Sequence, residues 1–97
     1  VGKDIFMLGT AVHPWPARKG HRLKPSMVEC VLGQEVATLV IGNGVNGAIR
    51  VPEKTRKRLR SDGIETLIIE KTPQACRTYN QLLRQGERAA LLAHGTC

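Results

Sequence analysis

The sequence predicts a single α/β domain of three layers, in which helices flank a mixed, largely parallel β-sheet. Helical and strand-like patterns alternate along the chain, and the connections between them are short. Two runs of strand length, residues 36–41 and 64–70, are mostly apolar, as expected of strands covered on both faces. A chain of 97 residues can hold one core, so we assign residues 1–97 to one domain.

The first half of the chain is predicted to begin with a strand and a long loop. Pro14 and Pro16 flank Trp15, and two prolines so close together disfavour regular structure. Pro25 is suited to open a helix that ends near Gly33. The predicted elements are a strand (3–8), a loop (9–24), a helix (25–33), the first apolar strand (36–41) and a glycine-rich turn (42–47).

The second half has clearer boundary signals. Pro52 fits the first turn of a helix and pushes the residue before it towards extended backbone. Thr72 is a suitable N-cap for a second helix, and Gly63 and Gly86 can end the two helices. The predicted elements are an extended segment (48–51), a helix (52–62), the second apolar strand (64–70), a second helix (73–85) and a last strand (87–93).

The charge balance is strongly basic. Lys and Arg total 15 against 8 acidic residues, which gives a net charge of +7. Such an excess favours an anionic partner, such as nucleic acid, a phosphorylated molecule or an acidic protein surface, although it can also serve solubility alone. Every apolar run is far too short to span a bilayer, so we expect no membrane partner.

The three cysteines, Cys30, Cys76 and Cys97, include no CxxC pair, and no histidine stands at ligand spacing from them. We therefore expect reduced thiols, a cytoplasmic location and no metal site. Cys76 follows the start of a helix and precedes Arg77, which favours a thiolate. It also falls on the apolar face of that helix, and this favours a small core residue instead.

The segment 42–47 reads GNGVNG and matches the GxGxxG dinucleotide fingerprint, with Glu70 at about the expected distance. In that fingerprint the helix that binds the pyrophosphate begins within the glycine turn. A helix started at Gly44 would place Pro52 in its interior, at a cost of about 3 kcal/mol. We therefore expect a structural turn that serves close backbone approach and positive φ, and no cofactor.

Short segments along the whole chain stand in an order and spacing that a known family shares. The matching positions are residues 38–44, Pro52, Leu59, Gly63, Ile64, Ala75, Tyr79, Asn80, Leu82 and Gly86. Through them the chain resembles the Mth-type domain family, which includes the adipogenesis-associated Mth-domain protein and a mitochondrial complex I assembly factor. The resemblance implies a three-layer α/β fold, no established enzymatic activity and a role in regulation or protein assembly. It also implies that the family's leading β segment is missing before the strand 3–8.

No set of nucleophile, base and orienting group is visible, so we expect no enzymatic activity and no catalytic residue. His21 could act as a general base, but a histidine that stabilises its loop is the commoner case. Trp15 could be a lid over the edge of the core or an exposed contact for a partner. Asn80 gains nothing intrinsically in a helix and could hydrogen-bond a neighbouring loop such as the turn 42–44.

Two functions remain open from the sequence. The leading hypothesis is a non-enzymatic protein-binding module of regulatory or assembly type, with an interaction surface at Trp15, His21, Gly42, Asn43, Gly44, Tyr79 and Asn80. The alternative is a binder of nucleic acid or another polyanion through the basic helix 52–62, with Thr55 and Leu59 facing inward. Its anion-binding residues would be Lys54, Arg56, Lys57 and Arg60.

Overall fold

The computed structural model describes residues 4–15, 22–44 and 49–94. The elements within these ranges confirm the α/β class. In chain order they are β1 Ile5–Leu8, β2 Ala11–Pro14, a 3₁₀ helix Pro25–Val31, β3 Thr38–Gly42, α1 Glu53–Ser61, β4 Thr66–Glu70, α2 Thr72–Arg84 and β5 Ala89–Ala93. In this part of the chain, no helix has the length and apolar character needed to cross a bilayer.

The sheet is mixed, as predicted, and its strand order is β2-β1-β5-β3-β4. β3 runs parallel to both β4 and β5, whereas β1 runs antiparallel to both β5 and β2. β5 therefore joins the antiparallel hairpin to the parallel strands. All five residues of β3 and of β5 are buried, which is why β3 reads as a continuous apolar run.

The sheet lies between two apolar clusters. The sheet and the helices that pack on its two faces form the three layers. One face packs against the 3₁₀ helix and α1 through Val28, Leu59 and their neighbours. The other face packs against α2 through Ala75 and Tyr79. Along β3 the residues alternate between the two clusters, with Leu39 and Ile41 on the first face and Val40 on the second. Thr55 and Leu59 face inward from α1, as predicted.

The predicted loop over residues 9–24 was wrong in its first part, which contains β2. Leu8 faces Ala11 across a two-residue turn, and the Trp15 amide donates to the Asp4 carbonyl at 3.1 Å. Hydrogen-bonded pairs alternate in an antiparallel ladder, so Pro14 falls where its backbone nitrogen points away from β1. Its missing N–H therefore costs the ladder nothing, and proline is tolerated on this edge strand.

The predicted helix 25–33 is a shorter 3₁₀ helix, Pro25–Val31. The backbone is already extended at Leu32 and turns through Gly33 at φ +72°. The Trp15 indole donates to the Met27 carbonyl at 2.8 Å, the acceptor that an α-helix would offer to the amide of Val31. A short segment of this kind satisfies its backbone with the tighter i→i+3 pattern.

Replacing Tyr79 with phenylalanine is expected to lower the free energy of unfolding by about 1 kcal/mol. The Tyr79 ring is fully buried under α2, and its hydroxyl donates to the Gly9 carbonyl at 2.8 Å, which ties α2 to the β1–β2 turn. Burial also raises the pKa of Tyr79 above its usual value near 10. The folded protein then holds this proton where the unfolded chain has lost it, so stability falls as the pH rises through about 10.

Tyr79 is the chain's only tyrosine, so urea unfolding of wild type and Tyr79→Phe at pH 7 and pH 10.5 isolates its contribution. The difference in free energy of unfolding between the two proteins should be smaller at the higher pH. A difference that is the same at both pH values would contradict the raised pKa.

Candidate functional site

The most distinctive surface is a groove between the segment 22–26 and the start of α1. One part of it, about 530 Å³ in volume, is lined by Arg22, Arg50, Val51 and Pro52. The adjoining part, about 720 Å³, shares Arg22 and Pro52 and adds Lys24, Pro25, Ser26, Glu53 and Lys54. We call this surface the basic groove, and its cations are Arg22, Lys24, Arg50 and Lys54.

The groove forms because two short segments pair and alternate in burial. Arg22 and Arg50 lie opposite each other in an isolated parallel bridge, and the Leu23 amide donates to the Arg50 carbonyl at 2.9 Å. Leu23 and Val51 are buried, so the residues beside them along each segment face solvent. Burial of Leu23 therefore places Arg22 and Lys24 at the groove, and burial of Val51 places Arg50 there.

A hydrogen bond fixes α1 against the same segment. The buried Thr55 hydroxyl donates to the Leu23 carbonyl at 2.6 Å, one turn into the helix. Pro52 precedes the helix with extended backbone, as predicted, and forms a rigid part of the groove wall. The N-terminal end of α1, which carries partial positive charge, therefore lies beside Lys54 at the groove.

The charge of the groove is largely uncompensated. Arg22, Lys24, Arg50 and Lys54 are all exposed, and Glu53 is the only acidic residue among the described lining. The Glu53 carboxylate already accepts a hydrogen bond from Arg60 at 2.7 Å. The groove therefore presents a positive field to an incoming anion.

The predicted anion-binding residues of the basic helix do not all line the groove. Arg60 pairs with Glu53, and the Arg56 Nε donates to the Val51 carbonyl at 3.1 Å. Lys57 is exposed on α1 but does not line the groove. Of the four predicted residues only Lys54 lines the groove, and the sequence analysis did not single out Arg22, Lys24 or Arg50.

The described residues of the predicted protein-interaction surface do not form one exposed surface. Trp15 is 3% exposed, so it is a lid over the core and not an exposed contact. Tyr79 is buried, with its hydroxyl near Gly9 at the opposite end of the sheet from the turn 42–44. Asn80 is exposed on α2. His21 lies outside the described residues.

The glycine turn is a structural junction, as its sequence suggested. A Cβ on Gly42 would lie 2.9 Å from the Thr72 hydroxyl oxygen, and Gly44 adopts φ +100°. The Gly44 amide donates to the same Thr72 oxygen at 3.0 Å. Thr72 thus contacts this turn in place of the predicted Asn80. The Asn43 side-chain oxygen is buried and makes no hydrogen bond with a described residue.

Among the described residues, no helix directly follows the turn in the way that a dinucleotide site requires. The first helix described after it is α1, which begins only at Glu53, and residues 49–52 before it are not helical. Glu70 accepts a hydrogen bond from the Thr78 hydroxyl at 2.6 Å, so its carboxylate is engaged within the fold. The predicted N-cap was also wrong. Lys71 occupies the cap position with extended backbone, and the Thr72 hydroxyl instead donates to the His94 carbonyl at 2.7 Å.

His94 and Asp4 form an ionisable pair at the end of the sheet where the turn 42–44 lies. His94 Nδ1 lies 2.6 Å from an Asp4 carboxylate oxygen, and His94 is 2% exposed. The pair links the residue after β5 to the residue before β1. No group of three His, Cys, Asp or Glu side chains in the described ranges is placed to hold a metal ion. The sequence analysis missed this pair because its members are 90 residues apart.

The described cysteines are free thiols. Cys30 and Cys76 are both partly buried, and Cys76 packs against the cluster under α2, which favours the core-residue alternative. Burial raises the pKa of the Cys30 thiol, which makes it less reactive at neutral pH. Cys97 lies outside the described residues.

Comparison with known proteins gives a family match over nearly the whole chain. Residues 1–94 match a family described as "Protein of unknown function (DUF498/DUF598)". Among solved structures, a conserved hypothetical protein of Pyrococcus horikoshii is similar with a TM-score of 0.85 and 19% identity, over 98% of this chain and 84% of that chain. An outer membrane protein of Bartonella henselae is similar with a TM-score of 0.84 and 25% identity, over 98% and 80% of the two chains.

A third solved structure carries a fold name. A Bordetella pertussis protein described as a Mth938-like domain is similar with a TM-score of 0.65 and 18% identity, over 95% of this chain and 73% of that chain. At this identity the likeness concerns the fold, and it agrees with the three-layer α/β architecture described above.

Proposed function

The chain belongs to the DUF498/DUF598 family of proteins of unknown function, and we propose that its role is defined by the basic groove. In this proposal the protein is a non-enzymatic binding module that takes an acidic segment of another protein. The observation that carries it is the convergence of Arg22, Lys24, Arg50 and Lys54 on one open groove whose single described carboxylate is already paired.

The shape of the groove supports an extended segment as the ligand. Its two parts share Arg22 and Pro52, while Arg50 lines one part and Lys24 and Lys54 line the other. Exposed lysines and arginines on a groove wall attract anions without strict geometry. A peptide with several carboxylates can therefore meet the cations one after another.

Nucleic acid is the second candidate, and burial of the aromatic residues weighs against its single-stranded form. The chain has one Phe, one Trp and one Tyr, and Phe6, Trp15 and Tyr79 are all buried. No aromatic side chain is therefore available to stack on unpaired bases, which is how single strands are commonly held. The internal contacts of Arg56 and Arg60 further reduce the cationic surface of α1.

The cytoplasm is the location we propose for this module. Cys30 and Cys76 are free thiols, which fits a reducing compartment.

The double variant Lys24→Glu/Lys54→Glu is expected to weaken binding of a fluorescein-labelled poly-glutamate peptide by about tenfold, measured by fluorescence anisotropy. Both lysines are exposed, so the fold should be unaffected, which thermal unfolding can confirm. The matched control is Arg77→Glu/Arg84→Glu on α2, which changes the net charge equally on the opposite face of the sheet. The control should bind nearly as well as wild type.

Equal weakening by both double variants would contradict the groove, because net charge alone would then explain binding. A labelled DNA duplex tests the second candidate in parallel. If duplex affinity exceeds that of the peptide and falls by about 10³–10⁵ between 50 and 200 mM salt, the protein-segment proposal is wrong.

A further inference from the structure

Two arginines stand side by side in the smaller part of the basic groove. Arg22 and Arg50 are directly opposite in a parallel bridge, and residues in register on neighbouring strands project from the same side. Their backbones are therefore about 4.8 Å apart, the usual strand spacing. Both side chains are exposed, and neither makes a hydrogen bond or ion pair with a described residue.

This arrangement is unfavourable without a ligand. Like charges directly opposite on paired strands destabilise the pairing. The lining described for this part of the groove contains no carboxylate, since the other residues are Val51 and Pro52. The described lining of this part of the groove therefore supplies no counter-charge for the two adjacent guanidinium groups.

We propose that Arg22 and Arg50 form a clamp for a phosphomonoester, so that the acidic segment taken by the groove carries a phosphorylated side chain. This inference rests on the proposed function and names the chemistry of its ligand. A phosphomonoester carries a charge of about −1.5 to −2 at pH 7 and three acceptor oxygens, which two planar guanidinium forks can share. A carboxylate carries one charge and offers two oxygens, so it can satisfy only one fork fully.

Lys24 and Lys54 line the larger part of the groove, which shares Arg22 and Pro52 with the smaller part. They would therefore meet carboxylates that flank the phosphate. The clamp and the two lysines are separable by mutation, because Arg22 is the only residue of the clamp among the described lining of the larger part.

Three peptides of one acidic sequence, with serine, glutamate or phosphoserine at the central position, test the clamp by fluorescence anisotropy. At pH 7.5 the phosphoserine peptide should bind about tenfold tighter than the glutamate peptide. This preference should diminish as the pH falls below about 6, where the phosphate loses its second charge. Inorganic phosphate should compete with the phosphoserine peptide.

The double variant Arg22→Lys/Arg50→Lys keeps both charges but removes the planar forks. It should lose the preference for phosphoserine while retaining binding of the glutamate peptide, and Arg77→Lys/Arg84→Lys should change neither. Equal affinity for phosphoserine and glutamate peptides in wild type would overturn the clamp and leave the acidic-segment function standing.

Two other outcomes separate the clamp from the proposed function. Phosphoserine binding that is unaffected by Lys24→Glu/Lys54→Glu would support the clamp and overturn the acidic segment. Tighter binding of a DNA duplex, whose phosphodiesters carry one charge each, than of the phosphoserine peptide would overturn both.

Discussion

Replacing Trp15 with alanine should lower the free energy of unfolding by about 3–5 kcal/mol, a large fraction of the 5–15 kcal/mol typical of a folded domain. The indole is 3% exposed and packs in the cluster that the sheet shares with the 3₁₀ helix and α1. Alanine would leave a cavity there and would remove the 2.8 Å hydrogen bond to the Met27 carbonyl. For a domain of this size, each kcal/mol lowers Tm by about 4–8 °C.

Trp15→Phe is the matched control, because it keeps most of the apolar contact while it removes the indole N–H and part of the ring volume. It should cost about 1–2 kcal/mol. Trp15 is the chain's only tryptophan, so urea unfolding of all three proteins is followed by circular dichroism and not by fluorescence. Equal losses for alanine and phenylalanine would show that the hydrogen bond, and not the packing, dominates.

Gly42→Ala is expected to destabilise the fold by about 1–3 kcal/mol, although it adds a single methyl group. The new Cβ would lie 2.9 Å from the Thr72 hydroxyl oxygen and 3.1 Å from the Thr72 Cα. Thr72 cannot move away cheaply, since its amide and hydroxyl bond to Gly44 and to the His94 carbonyl. Valine at position 42 should be worse, because its branches enlarge the same clash.

A double-mutant cycle tests this cause of the destabilisation. Thr72→Ala removes the nearest atom, so Gly42→Ala should cost less in that background than in wild type, with a coupling of about 0.5–3 kcal/mol. Urea unfolding of the four proteins gives the coupling directly. Strictly additive losses would show that the methyl group clashes with something other than the Thr72 side chain.

The fold was largely predictable because its strongest signals are local. The buried strands β3 and β5 and the helices α1 and α2 have apolar patterns and boundary residues of their own, such as Pro52 and Gly86. β2 was missed because Pro14 usually argues against a strand. The strand tolerates Pro14 because the proline nitrogen points away from β1. Only the register between β1 and β2 determines this direction.

The candidate site was less predictable because it depends on pairing between distant segments. Arg22 and Arg50 are 28 positions apart and stand in no motif, and only the bridge between their backbones makes them neighbours. Conversely, the run of cations in α1 is obvious in the sequence, but Arg56 and Arg60 are held by Val51 and Glu53. The density of charge along the sequence therefore overestimates the number of available cations on the helix. It underestimates the number that line the groove.

The position of β5 in the sheet has a consequence for biosynthesis. β5 is the central strand, between β1 and β3, yet it follows every other described strand in the chain. The β1–β2 hairpin and the β3–β4 pair have no ladder with each other, so they are joined only through residues 89–93. While those residues remain inside the ribosome, the emerging chain holds two separate half-sheets, each with an open edge and an apolar face. The sheet can therefore be completed only after β5 has left the ribosome.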